Sequence, residues 1–475
     1  MPTQAAKASA LAARFGGSRD GAFAPSGIAI EELAARFGTP FYLYDGGLIA
    51  ERIARVRDAL GTEVAYSIKA NPSLAICQVA ARAGAGAEVA SAGELTIALA
   101  AGFAPADIVF AGPGKTDSEL AALVEAGIHA DHVESLAEID RLAAIADRLA
   151  LDRPVGVALR LNPATQLLGA QMRMGGTASQ FGIDEADLPA AVARVRTHRR
   201  LTLRGIHVYT ATQVFDAAPL VEHSRAVLEL ALATADLWGA PLEEVDLGGG
   251  FGVPYFEKDI ELDLEAVGHG LRGLLARYGV DPRLAGCRFI VELGRYLVAE
   301  AGIYVTRIVD AKTTRGRSFV VTDGGMSHHL TATGNMGQVF RKAFPLLNLS
   351  RMPGDTARGM ASAGESREPF RVVTVAGPLC TPLDTFGTDV ELADPRVGDL
   401  IGVFDSGAYG YSASNLGFLS HPSPAEVLLW QGQAIELRPA GAPADVLRGQ
   451  AGLPTGGRAP VTGRPPVSGD APAGP

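Results

Sequence analysis

The chain has 475 residues, enough for two or three domains around a large core, and 47% of them are hydrophobic. Its net charge of -10 and pI near 5.5 argue against a nucleic-acid binder. Three cysteines, Cys77, Cys287 and Cys380, are too few for a disulfide framework, and no apolar run reaches the length of a membrane span. A cytoplasmic protein with no membrane partner is expected.

The N-terminal stretch MPTQAAKASALAARFGG is basic and alanine-rich but lacks a long apolar core. It reads as a loose, disordered extension over residues 1–26 rather than a signal peptide. LAARFG occurs at 11–16 and again at 33–38, and only the second copy precedes a strand-like run, FYLYD at 41–45. The echo carries no functional repeat.

Between about residues 60 and 295, short apolar runs alternate with longer amphipathic patterns. The strand-like runs fall at 64–67, 87–91, 107–110, 128–133, 155–162, 204–209, 244–248 and 289–293. Helix patterns fall at 73–84, 93–102, 116–126, 135–150, 185–198, 216–238 and 261–278. Continuous apolar runs mark strands covered on both faces. Eight such units predict a (β/α)8 barrel over residues 51–295, with a doubly wound open sheet as the alternative.

After Leu293 the texture changes to alternating, β-branched runs, at 371–380, 399–409 and 425–430 among others, which predict antiparallel strands. FYLYD can lend this part a strand, so the barrel is expected to be inserted in a β-domain made of residues 27–50 and 296–445. Residues 350–368 are polar and glycine-rich, as in a surface loop, and the Gly/Pro-rich tail, residues 446–475, is expected to be disordered.

In a barrel the chemistry sits at the C-terminal strand ends. There the chain places Lys69, Glu88 with Glu94, Arg160 with Asn162, His207 with Thr210 and Gln213, the triplet Gly248, Gly249 and Gly250, and Glu292 with Gly294 and Arg295. A histidine in such a place is as often a packed core residue as a functional one, and a glycine triplet alone can be a turn. Together they read differently. The triplet and Arg295 suit a phosphate, Lys69 suits an imine, and Glu292 suits a protonated ring nitrogen. These parts describe pyridoxal phosphate, with His207 placed to stack on its ring.

VAYSIKANP (64–72), AEVASAGEL (87–95), GIHVYTATQ (205–213), VDLGGGFG (245–252), VELGR (291–295) and GPLC (377–380), with the aromatic pair near Tyr409, occur in that order. Over about residues 27–440 the chain resembles the fold-type III pyridoxal-phosphate decarboxylases, the group of diaminopimelate and ornithine decarboxylases. The resemblance implies a homodimer with shared active sites and an alanine racemase-like pairing of barrel and β-domain. It implies that Lys69 forms the imine, Glu292 bonds the pyridinium nitrogen and His207 stacks. Gly248, Gly249, Gly250, Gly294, Arg295 and Thr210 would surround the phosphate, with Glu88, Arg160 and Tyr409 also at the cofactor. Cys380 would come from the partner subunit and protonate the carbanion.

The chain also departs from that pattern. Glu88 stands where aspartate is common, and Thr381 follows Cys380 where diaminopimelate decarboxylases have an acid. Residues 323–342 lack the usual arginine-proline-tyrosine pattern, and residues 169–184 are rich in Met and Gly. These features look closer to a branch of the family found in biosynthetic clusters, some of whose members decarboxylate amino acids attached to a carrier protein or other enlarged substrates; the expected substrate is a small-molecule amino acid that can be tethered to a carrier protein. Arg173, His328, His329, Thr381 and Asp384 are the expected substrate contacts. No metal site is expected, since no carboxylate or cysteine spacing accompanies the histidine pair. A diaminopimelate decarboxylase making lysine, an amino-acid racemase and a non-enzymatic cofactor-binding protein are the rival readings.

Overall fold

The computed structural model describes residues 3–164, the backbone of 172–173, and residues 178–336, 342–352 and 370–453. In chain order the larger elements open with α1 (Gln4–Arg14), α2 (Ile30–Phe37), β1 (Phe41–Asp45), α3 (Gly46–Leu60) and β2 (Glu63–Ser67). There follow α4 (Leu74–Arg82), β3 (Gly86–Val89), α5 (Ala92–Ala101), β4 (Ile108–Ala111), α6 (Asp117–Ala126), β5 (Ala130–Val133) and α7 (Leu136–Leu149). Next come β6 (Val155–Asn162), α8 (Leu188–Thr197), β7 (Leu201–His207), α9 (Ala217–Trp238), β8 (Glu244–Gly249), α10 (Leu264–Tyr278) and β9 (Arg288–Leu293). The last strands are β10 (Gly302–Thr314), β11 (Arg317–Thr322), β12 (Leu346–Asn348), β13 (Phe370–Ala376), β14 (Thr385–Ala393), β15 (Leu400–Val403), β16 (Ala425–Trp430) and β17 (Gln433–Arg438).

Strands β2 to β9 pair in parallel in sequence order, and β9 returns to β2, closing the expected eight-stranded barrel. Local chemistry starts each helix. Asp45 accepts a hydrogen bond from the Leu48 amide, Ser91 from Glu94, Thr116 from Glu119 and Ser135 from Glu138. Ser91 therefore caps α5 rather than ending the preceding strand, which stops at Val89.

The second sheet runs β14-β13-β11-β10-β1-β16-β17 and is mainly antiparallel, with β15 pairing β10 and β12. FYLYD is β1, flanked by β10 and β16 at the middle of that sheet. The barrel is thus inserted between β1 and the rest of the β-domain. Helix α3, which begins at Gly46, packs on α4 and α10 of the barrel and also touches β16 of the β-domain.

The N-terminal segment corrects the expectation of a disordered extension. Ala8, Leu11, Ala12 and Phe15 share one face of a helical pattern and are buried with Phe23, Phe404 and Leu349 against the β-domain. Polar contacts tie α1 down at both ends: Gln4 Nε2 donates to the Ala343 carbonyl at 2.7 Å, Lys7 Nζ lies 3.3 Å from Asp405, and Arg14 pairs with Glu300. Residues 446–453 are exposed, whereas 454–475 of the tail and 353–368 of the expected surface loop lie outside the described residues. Among the described residues no helix is long and apolar enough to cross a membrane.

Candidate active site

Strand β2 runs into a single 3-10 turn, Ile68–Ala70, which lifts Lys69 out of the barrel wall. Its side chain is 44% exposed, while Glu88 on β3, 2% exposed, holds the ammonium with both oxygens at 2.9 Å. Burial pulls the Lys69 pKa down, but the Glu88 and Glu292 carboxylates outweigh it and leave it above the ordinary lysine value. The β-domain closes one side: Tyr409 N–H donates to the Ala70 carbonyl at 2.7 Å, and Asn71 Nδ2 to the Gly407 carbonyl at 3.0 Å. Tyr409 thus reaches the site from the β-domain of the same chain. One pocket is lined by Lys69, Tyr209, Thr212, Gly250, Glu292, Gly294, Arg295 and Tyr409.

The glycine triplet ends β8 between two neighbouring strands. A Cβ on Gly248 would lie 2.4 Å from the Val208 carbonyl oxygen, on Gly249 1.8 Å from that of Glu292, and on Gly250 2.3 Å from that of Ala211. Gly248 and Gly250 also have φ of +66° and +87°. No side chain fits, so the backbone forms a bare cradle. Arg295 stands beside it, its guanidinium 4.7 Å from the Tyr409 ring centre and 5.7 Å from that of Tyr255.

His207 and Glu292 lie at the bottom of the site, both buried, with Nε2 3.3 Å from Oε2. Burial pulls the His207 pKa down despite Glu292; burial opposes ionisation of Glu292, but His207 and Lys69 hold its pKa well below the usual carboxylate range. Beneath them are residues that the sequence reading missed. His132 on β5 lies against His207 with ring centres 4.8 Å apart, and Asp246 on β8 accepts a hydrogen bond from Gly248 N–H at 2.8 Å. One ring nitrogen or carboxylate oxygen from each of His132, His207, Asp246 and Glu292 lies within 4.8 Å of the others, so the four form one buried polar cluster. Their signal was a polar residue at alternate positions of apolar-looking strands, which is how a barrel interior is addressed.

Several expected contacts stand elsewhere. Arg160 is buried in an ion pair with Glu134 at 2.5 Å, and does not line the pocket. The Thr210 hydroxyl faces His223 Nδ1 at 3.4 Å; Thr212, two residues on, lines the pocket instead, because the chain at Ala211 is pressed against Gly250. His328 and His329 are buried core residues: His329 Nε2 meets Ser406 Oγ at 2.9 Å among Tyr42, Tyr304 and Phe344, and His328 Nδ1 faces the Tyr304 hydroxyl at 3.4 Å. Asp384 is buried and structural, accepting from Met326 N–H at 2.6 Å and Leu379 N–H at 2.7 Å. Cys380 is exposed and Thr381 half-buried on the loop between β13 and β14, and neither lines the pocket. The backbone at Arg173 pairs with Ala211, and its side chain lies outside the described residues.

The residues present fit pyridoxal phosphate: an amine at the mouth, a bare glycine cradle beside a guanidinium, and a buried carboxylate atom, Glu292 Oε1, without a hydrogen-bond partner. Fold and site together define a (β/α)8-barrel enzyme of pyridoxal phosphate chemistry. A family model described as pyridoxal-dependent decarboxylase, pyridoxal binding domain, matches residues 47–299. The chain belongs to the fold-type III pyridoxal-dependent decarboxylases, and its activity is decarboxylation of an amino acid or amino-acid derivative. It is 36% identical to the L-glutamyl-[BtrI acyl-carrier protein] decarboxylase of Niallia circulans, over 89% of this chain and 96% of the relative. It is 30% identical to the diaminopimelate decarboxylase of Zymomonas mobilis, over 90% of this chain and 97% of that one. The solved diaminopimelate decarboxylase of M. jannaschii superposes with a TM-score of 0.80 at 29% identity, covering 92% of this chain and 97% of that one.

Proposed function

We propose that this decarboxylase acts on an amino acid carried by a larger group, of the carrier-protein-tethered kind, rather than on a free diamino acid. The carrying observation is Asp384. It is the sole acid between Gly377 and Thr385, and two backbone amides occupy its carboxylate. With Thr381 directly after Cys380, that loop offers no free carboxylate to a distal ammonium. The similarity to a decarboxylase named for a glutamyl-carrier substrate supports the same reading. Diaminopimelate decarboxylation is the second reading, favoured by the fold-wide likeness to those enzymes.

Pyridoxal phosphate, when bound, supplies the electron sink for the pair left as CO2 departs. The chain's own residues do the rest. Glu88 takes the proton that the Lys69 amine must lose before it bonds covalently. Glu292 would hold a proton at the ring nitrogen, His207 would support the ring face, and the cradle with Arg295 would hold the phosphate. Cys380 serves the neighbouring subunit of a homodimer, returning a proton to the reacting carbon; its exposure supports that role. Three unpaired cysteines support a reducing cytoplasmic setting.

Carrier-tethered glutamyl, free glutamate and free diaminopimelate, offered side by side and followed by mass spectrometry, test the substrate. Loss of CO2 from the tethered substrate alone is expected; turnover of diaminopimelate alone sinks the proposal. Lys69→Ala is expected to abolish both the visible absorbance of bound cofactor and turnover, and retained decarboxylation would refute the role of Lys69.

A further inference from the structure

Three carboxylates, Glu244, Asp246 and Glu292, meet three imidazoles, His129, His132 and His207, inside the barrel, and each of the six is at most 9% exposed. They form a line from floor to mouth. Glu244 Oε2 lies 2.8 Å from His129 Nε2, and its Oε1 lies 3.1 Å from His132 Nε2. The His132 ring lies against His207, and His207 reaches Glu292 at 3.3 Å. Among the described residues no lysine or arginine hydrogen-bonds to any of these three carboxylates; the nearby cations are engaged elsewhere, Lys69 by Glu88 and Arg160 by Glu134.

Three uncompensated carboxylates cannot be buried together, so protons must be distributed over the group. A carboxylate only accepts hydrogen bonds, so His132, which is hydrogen-bonded to Glu244, presents Nε2–H to it. We propose that His132, Glu244 and Asp246 form a proton-holding layer beneath the cofactor site that keeps Glu292 as the carboxylate facing the cofactor nitrogen. His132 and Glu244 are then positioning residues, acting through His207 and Glu292 without touching the cofactor. Asp246 holds the remaining proton: burial first, then the neighbouring Glu292 and Glu244, push its pKa well above the usual carboxylate range. Its Oδ1 at the same time anchors Gly248 N–H, coupling the layer to the phosphate cradle. Glu292 is thereby surrounded by Lys69 from the turn after β2, His132 on β5, His207 on β7 and Asp246 on β8.

The inference rests on the pyridoxal phosphate reading, and the test separates the two. His132→Asn and Glu244→Gln are each expected to weaken pyridoxal phosphate binding about tenfold and to move the pH transition of its visible absorbance by about one unit, lowering kcat with little change in KM. Glu244→Asp, which keeps the carboxylate, is expected to bring the transition most of the way back to the wild-type position. Folded variants with wild-type cofactor affinity and an unmoved transition overturn the proposal. A second measurement needs no variant: nitrogen-15 histidine NMR of the wild-type protein, with and without cofactor, should place a proton on His132 Nε2. A bare Nε2 overturns the layer. Wild-type protein that takes up no pyridoxal phosphate overturns the functional reading instead, while the NMR result still decides the layer.

Discussion

Lys69 meets opposing demands: its ammonium is held by Glu88, yet it must give up a proton to bond the cofactor. Glu292 is the residue on which rate depends most directly. Glu292→Gln keeps the shape but not the charge, and is expected to retain the cofactor while lowering kcat by about a hundredfold or more, measured by CO2 release. An unchanged kcat would remove Glu292 from the mechanism. The core histidines His328 and His329 have a consequence for stability. Burial holds His329 down to about 3 and His328 down to about 4, against about 6.5 for an unfolded histidine. Between those values the unfolded chain binds more protons, so their contribution is complete above about pH 6.5 and is lost as the pH falls toward 3. Urea midpoints followed from pH 7 to pH 4 should fall less steeply for His329→Gln than for wild type; parallel slopes would contradict the assignment.

At the scale of elements, the β8 end and α1 each do something that a single residue cannot. The β8 end passes between β7 and β9 only because Gly249 has no side chain. Gly249→Ala forces a Cβ onto the Glu292 carbonyl and is expected to abolish cofactor retention, read by absorbance after gel filtration. Helix α1 covers the β-domain beside the segment from Asp405 to Tyr409, with Lys7 on Asp405 and Phe15 packed on Phe23 and Phe404. Phe15 is 2% exposed, so Phe15→Ala should cost about 3–5 kcal/mol in denaturant unfolding. A loss below about 1 kcal/mol would mean that α1 is not docked in solution. The expected strands and helices were legible because capping residues and apolar runs are local signals. Helix α1 was not, since its apolar face has meaning only against the sheet it covers.

For the whole molecule, the homodimer proposed above makes a quantitative statement. Lys69→Ala and Cys380→Ala subunits, each inactive alone, should regain about a quarter of wild-type activity when mixed and reassorted, because half the dimers then carry one intact site of two. No recovery on mixing would place Cys380 outside a shared site. The sequence alone determined the eight-unit barrel, its insertion after FYLYD, and the strand-end set of Lys69, Glu88, His207, the glycine triplet, Glu292 and Arg295. Those features follow from periodicity and from chemistry at fixed positions along the chain. Tertiary structure alone decided that Asp384 is occupied by backbone amides, that His328 and His329 are core, that Thr212 replaces Thr210 in the pocket, and that His132, Glu244 and Asp246 underlie the site. Each of those depends on contacts between residues far apart in sequence, and whether a polar side chain faces a substrate or a buried partner is set by what packs across from it.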